Sequence, residues 1–127
     1  MSRPTGPALE AMAAFVVAAE PPETARQRAG FAITDTIGVA LAGAGEPAAE
    51  VVRGVLPDPA DAPCLVWGSG MRASAPDAAL ANGTAAHALD YDDMCFVSLA
   101  HPSAPLVPAI VAAGEVTAAS GRSLLDA

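Results

Sequence analysis

The sequence contains no lysine and only six arginines, against fourteen acidic residues, which gives a net charge of −8. Such a chain offers no basic surface for the phosphate backbone of nucleic acid or for anionic lipid headgroups. It also has no run approaching the ~20 apolar residues that a membrane-spanning helix needs. We therefore expect neither a nucleic acid nor a membrane as a partner.

Cysteine is also scarce. Cys64 and Cys95 are the only two, and they do not form a C-x-x-C pair. A secreted domain of this length that depended on disulfides would normally carry more cysteines. The apolar stretch 11–19 is flanked by Glu10 and Glu20, which disfavours a signal peptide. These features predict free thiols and a cytoplasmic protein.

Only five residues are aromatic, whereas 32 are alanine. A core made of such small side chains buries little area per residue, so it needs close contacts between helices. The mean hydropathy of +0.40 is high for a small soluble monomer. It indicates apolar faces that pack against a partner subunit or against further chain. A length of 127 residues fits one domain.

Proline and glycine residues divide the chain into about five helical segments and one short extended segment, CLVWGSG at 64–70. The sequence therefore predicts an all-α domain that resembles a helical bundle. The helices are expected at 8–19, 23 to 43–45, 47–56, 75–89 and 105–119, with the start of another after residue 120.

Helical spacing predicts which faces are buried. In the first helix, Leu9, Met12 and Val16 form an apolar stripe that is typical of a core-facing surface. In the second, Gly30 and Gly38 lie on one face, and each glycine inside a helix costs about 1 kcal/mol relative to alanine. We expect both faces of the second helix to be buried and a neighbouring helix to approach these glycines closely.

The fourth helix contains Asn82-Gly83, a pair that usually indicates a turn. The flanking alanines and the continued apolar spacing predict instead that the helix passes through it. Ser74 and Asp77 form an S-x-x-D pattern typical of a helix start, and Ser103 is the candidate cap of the fifth helix.

The stretch His87 to Pro105 reads HALDYDDMCFVSLAHPSAP and brings together three carboxylates, two imidazoles and a thiol. Three interpretations remain open on the residues alone. In the first, the aspartates hydrogen-bond nearby amides as turns and caps. In the second, they bind a divalent metal such as magnesium, manganese or zinc. In the third, His101 exchanges a proton with a substrate while Asp90 orients its ring.

Four separated segments resemble the MmgE/PrpD family, which includes 2-methylcitrate dehydratase, cis-aconitate decarboxylase and iminodisuccinate epimerase. They are DTIGVALAG, SAPDAALANGTAAHALDYDDM, HPSAPLVPAIVAAGE and ASGRSLLDA. The resemblance implies a large helical domain with a smaller α+β lid, assembled as a homodimer. Because family chains are several times longer, residues 1–127 are expected to be a partial helical domain, an N-terminal fragment without the lid.

The resemblance also implies a reaction. Family enzymes move a proton next to a carboxylate of a small polycarboxylate, as lyases or isomerases, with no metal or organic cofactor. Carried over by position, His101 and Asp90 are catalytic, and Ser103, Asp93 and Met94 lie at substrate-binding positions. Met94 stands where many relatives have threonine, which points away from cis-aconitate decarboxylation.

The resemblance further implies that the lysines of the family's active site lie beyond residue 127. We therefore expect the chain alone to be inactive. His87 is expected to be a structural hydrogen-bond partner rather than a base. The alternative function is a non-catalytic helical module that acts by association.

Overall fold

A computed structural model describes residues 6–57, 59 and 61–127 of the chain. These residues form six α-helices and one hairpin of two short antiparallel strands, which confirms the all-α prediction. The helices are α1 Pro7–Ala18, α2 Glu23–Gly43, α3 Pro47–Val55, α4 Ala75–His87, α5 Ser103–Thr117 and α6 Gly121–Asp126, and the strands are β1 Cys64–Leu65 and β2 Arg72–Ala73.

Most helix ends follow the residues that predicted them. Helix α2 begins at Glu23, directly after two prolines. Helix α4 begins after Ser74, whose hydroxyl oxygen accepts a hydrogen bond from the amide of Asp77. Three predicted boundaries differ from the observed ones by two residues: α4 ends at His87, and α5 begins at Ser103 and ends at Thr117.

Helix α4 lies at the centre and packs against α2, α3 and α5. Its buried face consists almost entirely of alanine, and Trp67 and Val66 of the hairpin segment are buried beside it. The core is therefore built from small groups at close range, as the composition predicts. Its buried apolar members fall into two clusters, Ala40, Ala49, Trp67, Ala85, Ala86, Ala104 and Val107, and Cys64, Val66, Ala73, Ala78, Ala81 and Ala112.

The close helix contacts occur at Gly43 and Gly83. A Cβ atom at Gly43 would overlap the carbonyl oxygen of Ala85, and one at Gly83 would lie 2.9 Å from the carbonyl oxygen of Ala104. The prediction for the glycine-bearing face of α2 was wrong at Gly38, where a Cβ would meet nothing within 4 Å and most of the face is exposed. At Gly30 a Cβ would lie 3.9 Å from the Leu125 side chain of α6, which is an ordinary contact. Helical spacing marks a stripe of small residues but does not say whether a neighbour covers it.

Asn82 explains why Asn82-Gly83 lies inside a helix. The Asn82 side chain is buried, its Oδ1 accepts from the amide of Trp67 at 2.8 Å, and its Nδ2 donates to the carbonyl of Leu65 at 3.0 Å. Asn82 therefore ties the hairpin to α4, and Gly83 on the next position lets α5 approach.

The predicted core stripe of α1 was wrong for this chain. None of the residues of α1 is buried, and Leu9, Met12, Phe15 and Val16 are all exposed. The spacing was apolar and helical, but no other element of the described residues packs closely against this helix. Among the described helices, none combines the length and the apolar character needed to cross a bilayer.

Candidate active site

The loop between α4 and α5, residues 88–102, carries Asp90, Asp92, Asp93 and His101, and His87 is the last residue of the helix before it. Asp90 adopts a left-handed backbone conformation with φ of 54°, which aspartate tolerates better than most residues. Further along, Cys95 and Ala100 form an antiparallel bridge, with the Cys95 amide donating to the Ala100 carbonyl at 2.8 Å. The bridge folds the loop back so that His101 returns towards the end of α4.

Asp93 closes the loop against the start of α5. Its Oδ1 accepts from the amide of Ser103 at 3.0 Å, and its Oδ2 accepts from the Ser103 hydroxyl at 2.7 Å. Ser103 was predicted as the cap of α5, but it is the first residue of the helix and Pro102 precedes it. The carboxylate of Asp93 satisfies this first amide of the helix instead, where the helix dipole also favours a negative charge.

Asp92 lies between the two imidazoles. Its side chain is only 1% exposed, and its carboxylate oxygens lie 3.0 and 3.1 Å from Nδ1 of His87. Its Oδ2 also lies 3.3 Å from Nδ1 of His101. A buried carboxylate needs partners to offset its desolvation, and here the described partners are both histidines.

His101 is held through its buried nitrogen. Nδ1 is within ion-pair distance of Asp92, but the approach angle is not that of a hydrogen bond, and this buried nitrogen has no hydrogen-bond partner among the described residues. On the other side of the ring, Nε2 lies 3.7 Å from Oδ1 of Asp90, whose side chain is 78% exposed. The imidazole rings of His87 and His101 also meet edge to face, with centroids 4.7 Å apart.

Both histidines line a cavity of about 930 Å³ between α4, the loop and the start of α5. Apart from the two rings and Thr84, the lining is apolar and made mainly of small residues. Its other members are Ala48, Ala79, Leu80, Gly83, Ala88, Leu99, Ala100, Ala104 and Pro105. Among the residues that the structure describes, no arginine lines this cavity.

The predicted site residues therefore separate into two groups. His101 and Asp90 lie beside each other, with Nε2 3.7 Å from Oδ1, but only His101 lines the cavity, and their catalytic role stays a prediction. Ser103 and Asp93 bond to each other at the start of α5, and Met94 is exposed, so none of these three lines the cavity. The substrate-binding role assigned to these three stays a prediction.

Sequence reasoning missed the importance of Asp92. Asp90 was predicted as the orienting group and Asp93 as a substrate-binding residue, and Asp92 was given no role, although it is the one of the three that is buried and touches both rings. The spacing contained one signal, because His87 lies five positions before Asp92 and the two face each other across the helix end. The expectation that His87 is a hydrogen-bond partner is consistent with this contact.

Cys95 lies in the same loop but has a different environment. Hydrogen bonds from the hydroxyl of Ser98 and from the amides of Ser98 and Val97 lower the pKa of the Cys95 thiol. Cys64, by contrast, is fully buried in the core, and this burial raises its pKa. Both thiols are free, as the cysteine count predicts.

The geometry defines an all-α domain with a histidine and aspartate cluster at the mouth of an apolar cavity, an arrangement suited to proton transfer. The sequence model of the MmgE/PrpD N-terminal domain matches residues 9–127. The chain therefore belongs to the MmgE/PrpD family, at a coarse level a family of dehydratases and lyases. No curated protein and no solved structure matches the chain.

Proposed function

We propose that this chain forms the N-terminal helical part of a lyase or isomerase that acts on a small polycarboxylate. His101 exchanges a proton with the carbon next to a substrate carboxylate. The family membership supports this class of chemistry. One observation carries the proposal. The His101 ring lines the cavity, and its Nδ1 contacts the buried carboxylate of Asp92.

The contact gives each nitrogen of His101 a separate role. Nδ1 has no access to solvent and faces Asp92, so proton exchange with a substrate takes place at Nε2. A carboxylate behind an imidazole fixes the ring and stabilises the imidazolium that forms when the ring takes up a proton. Asp92 is therefore the positioning residue, and Asp90, near Nε2 at the exposed side, contacts the reacting region.

The residues described here do not complete such a site. Carboxylates of a bound substrate need cations to hold them and to offset the charge that develops during proton transfer. The sequence has no lysine, and no described arginine lines the cavity. We infer that the missing cations come from a further part of the enzyme or from a second copy, and that the 127-residue chain alone does not turn over substrate.

The first test is replacement of His101 by alanine in an enzyme that contains this domain and the cation-bearing part. Turnover of a panel of small polycarboxylates should fall to background while the circular dichroism spectrum is unchanged. Near-normal kinetics in this variant would remove His101 from the mechanism. A second assay uses the 127-residue chain alone, and dehydratase or epimerase turnover by it would contradict the inferred incompleteness.

The exposed apolar face of α1 favours a second candidate, a module that acts by association with a second copy. Phe15, Val16 and Val17 are among the most exposed large side chains of the chain. Exposed apolar residues of this kind typically mark an interface. A homodimer is therefore part of the proposal, and light scattering tests it. If the chain is a monomer at all concentrations, both the association module and the homodimer are contradicted. If the chain is a dimer and the Phe15→Ser variant is a monomer, both are supported.

A further inference from the structure

We propose that His87, Asp90, Asp92 and His101 bind a divalent transition-metal cation of the Zn²⁺ class, and that this cation blocks the proton transfer by His101, because an imidazole that ligates through Nδ1 carries its proton on Nε2 and has no lone pair there to accept another. One ligand atom from each of the four residues lies within 4.8 Å of the others. The inference rests on the proposed function only in its second half, because metal binding itself depends on the four side chains alone.

The donor atoms favour Zn²⁺ over Mg²⁺ or Ca²⁺. Two imidazole nitrogens and two carboxylate oxygens form a mixed set that suits zinc, whereas Mg²⁺ and Ca²⁺ prefer six or more oxygens. Two carboxylates also balance the charge of a divalent ion. The described ion-pair partners of Asp90 and Asp92 are imidazoles, so no arginine competes with the metal for these carboxylates.

The distances are compatible with a tetrahedral site. Four ligands at about 2.0 to 2.2 Å from a zinc ion lie roughly 3.3 to 3.6 Å apart. The contact between His101 Nδ1 and Asp92 Oδ2 is 3.3 Å, and the widest separation within the set is below 4.8 Å. Rotation of exposed side chains can close the remaining gap, since the side chains of His87 and Asp90 are 53% and 78% exposed.

A second observation points to a ligand. Nδ1 of His101 is buried and has no hydrogen-bond partner among the described residues, although it faces a buried carboxylate. An unsatisfied buried polar atom destabilises the folded state. A cation shared between this nitrogen and Asp92 would satisfy both groups.

Cobalt is the probe of choice, because four-coordinate Co²⁺ absorbs visible light much more strongly than the six-coordinate aqueous ion. Titration of the 127-residue chain with Co²⁺ should give this strong absorption at one equivalent, and Zn²⁺ should abolish it. His87→Asn and Asp90→Asn change exposed side chains and should weaken binding at least about tenfold. Asp35→Asn, which removes an exposed carboxylate from α2, is the matched control and should bind normally.

Absence of the strong absorption in the unmodified chain would overturn the proposal, and so would equal affinity in His87→Asn and the control. The blocking effect is tested in the enzyme that contains the complete site. After treatment with a chelator, turnover should persist, and Zn²⁺ should suppress it with the affinity measured in the Co²⁺ competition. If turnover required zinc, metal-free proton transfer would be overturned, whereas the proposed metal site would not. If the cobalt titration failed, the metal site would be overturned, whereas the proposed proton transfer by His101 would not.

Discussion

Oδ2 of Asp92 lies 3.3 Å from Nδ1 of His101, and both atoms are shielded from solvent. The Asp92 side chain is also bonded to His87, so the carboxylate cannot move without losing a second contact. His101 itself is 26% exposed and lines the cavity. The ring therefore faces a buried carboxylate at one side and is accessible at the other, which is the arrangement that a positioned acid or base needs.

The two aspartates near His101 should differ in their effect on the enzyme. Asp92→Asn removes the buried charge behind the ring, and we expect it to lower kcat by roughly 10²- to 10⁴-fold with a smaller change in KM. Asp90→Asn changes an exposed carboxylate and should have the weaker effect on kcat. Nitrogen-15 shifts of the His101 ring provide a readout that a merely structural loss would not produce, because Asp92→Asn should change the tautomer. A larger loss of kcat in Asp90→Asn would restore Asp90 as the positioning residue.

Crowded and open glycines should respond to alanine in opposite directions. Gly83→Ala forces a Cβ against the Ala104 carbonyl and should lower the free energy of unfolding by about 1 to 3 kcal/mol, and Gly43→Ala should cost at least as much. Gly38→Ala is the control, because the site is open and the helix should gain about 0.5 to 1 kcal/mol. Urea denaturation measures all three. Stabilisation by Gly83→Ala would show that α4 and α5 are further apart than described.

Asn82 should contribute to stability through the hairpin. Asn82→Ala leaves the Trp67 amide and the Leu65 carbonyl without their partner, which should cost about 1 to 3 kcal/mol for each group that stays buried. Thr84→Ala, two residues later in α4, removes only a bond to the carbonyl one turn back and should change stability by less than about 0.5 kcal/mol. Thermal unfolding compares the two variants, and equal effects would contradict the anchoring role of Asn82.

The docking of α6 should weaken in acid. A hydrogen bond from Arg26 lowers the pKa of Asp126, with smaller contributions from the charges of Arg26 and Arg122. The folded carboxylate therefore holds its proton less tightly than the unfolded one. The stabilisation is present above the unfolded pKa of about 3.9 and is lost as the pH falls through the lowered folded value.

Hydrogen exchange of the α6 amides between neutral pH and strong acid would measure this effect. Asp126→Asn should remove the acid-dependent loss of protection, and Arg26→Gln should reduce it in the same way. If the loss of protection in acid were unchanged in Arg26→Gln, the ion pair between Arg26 and Asp126 would not be the cause of that loss.

The sequence predicts the helices well because proline, glycine and capping residues act locally. Glu23 after two prolines and Ser74 before Asp77 define helix starts without any information about tertiary contacts. The faces of the helices are predicted less well. Gly38 and Gly83 are both glycines inside a helix. Only Gly83 is in close contact, because α5 passes over it, and the sequence does not show the path of α5.

The same limit applies to the site. The order of the residues predicted that the aspartates and His101 come together, but not which carboxylate is buried. A loop folded back by the bridge between Cys95 and Ala100 places Asp92 inside and leaves Asp90 outside. Which aspartate is buried depends on the path of the loop backbone, and the spacing of residues in the sequence does not reveal that path.

Solvent hydrogen exchange tests the central claim, that His101 moves a proton next to a substrate carboxylate. The enzyme that contains this domain is incubated in D₂O, free of metal, with a small polycarboxylate, and NMR follows deuterium entry at the carbon next to the carboxylate. We expect deuterium entry with the unmodified enzyme and none above background with His101→Gln, while substrate binding is retained. Deuterium entry at an undiminished rate in His101→Gln would show that another group moves the proton.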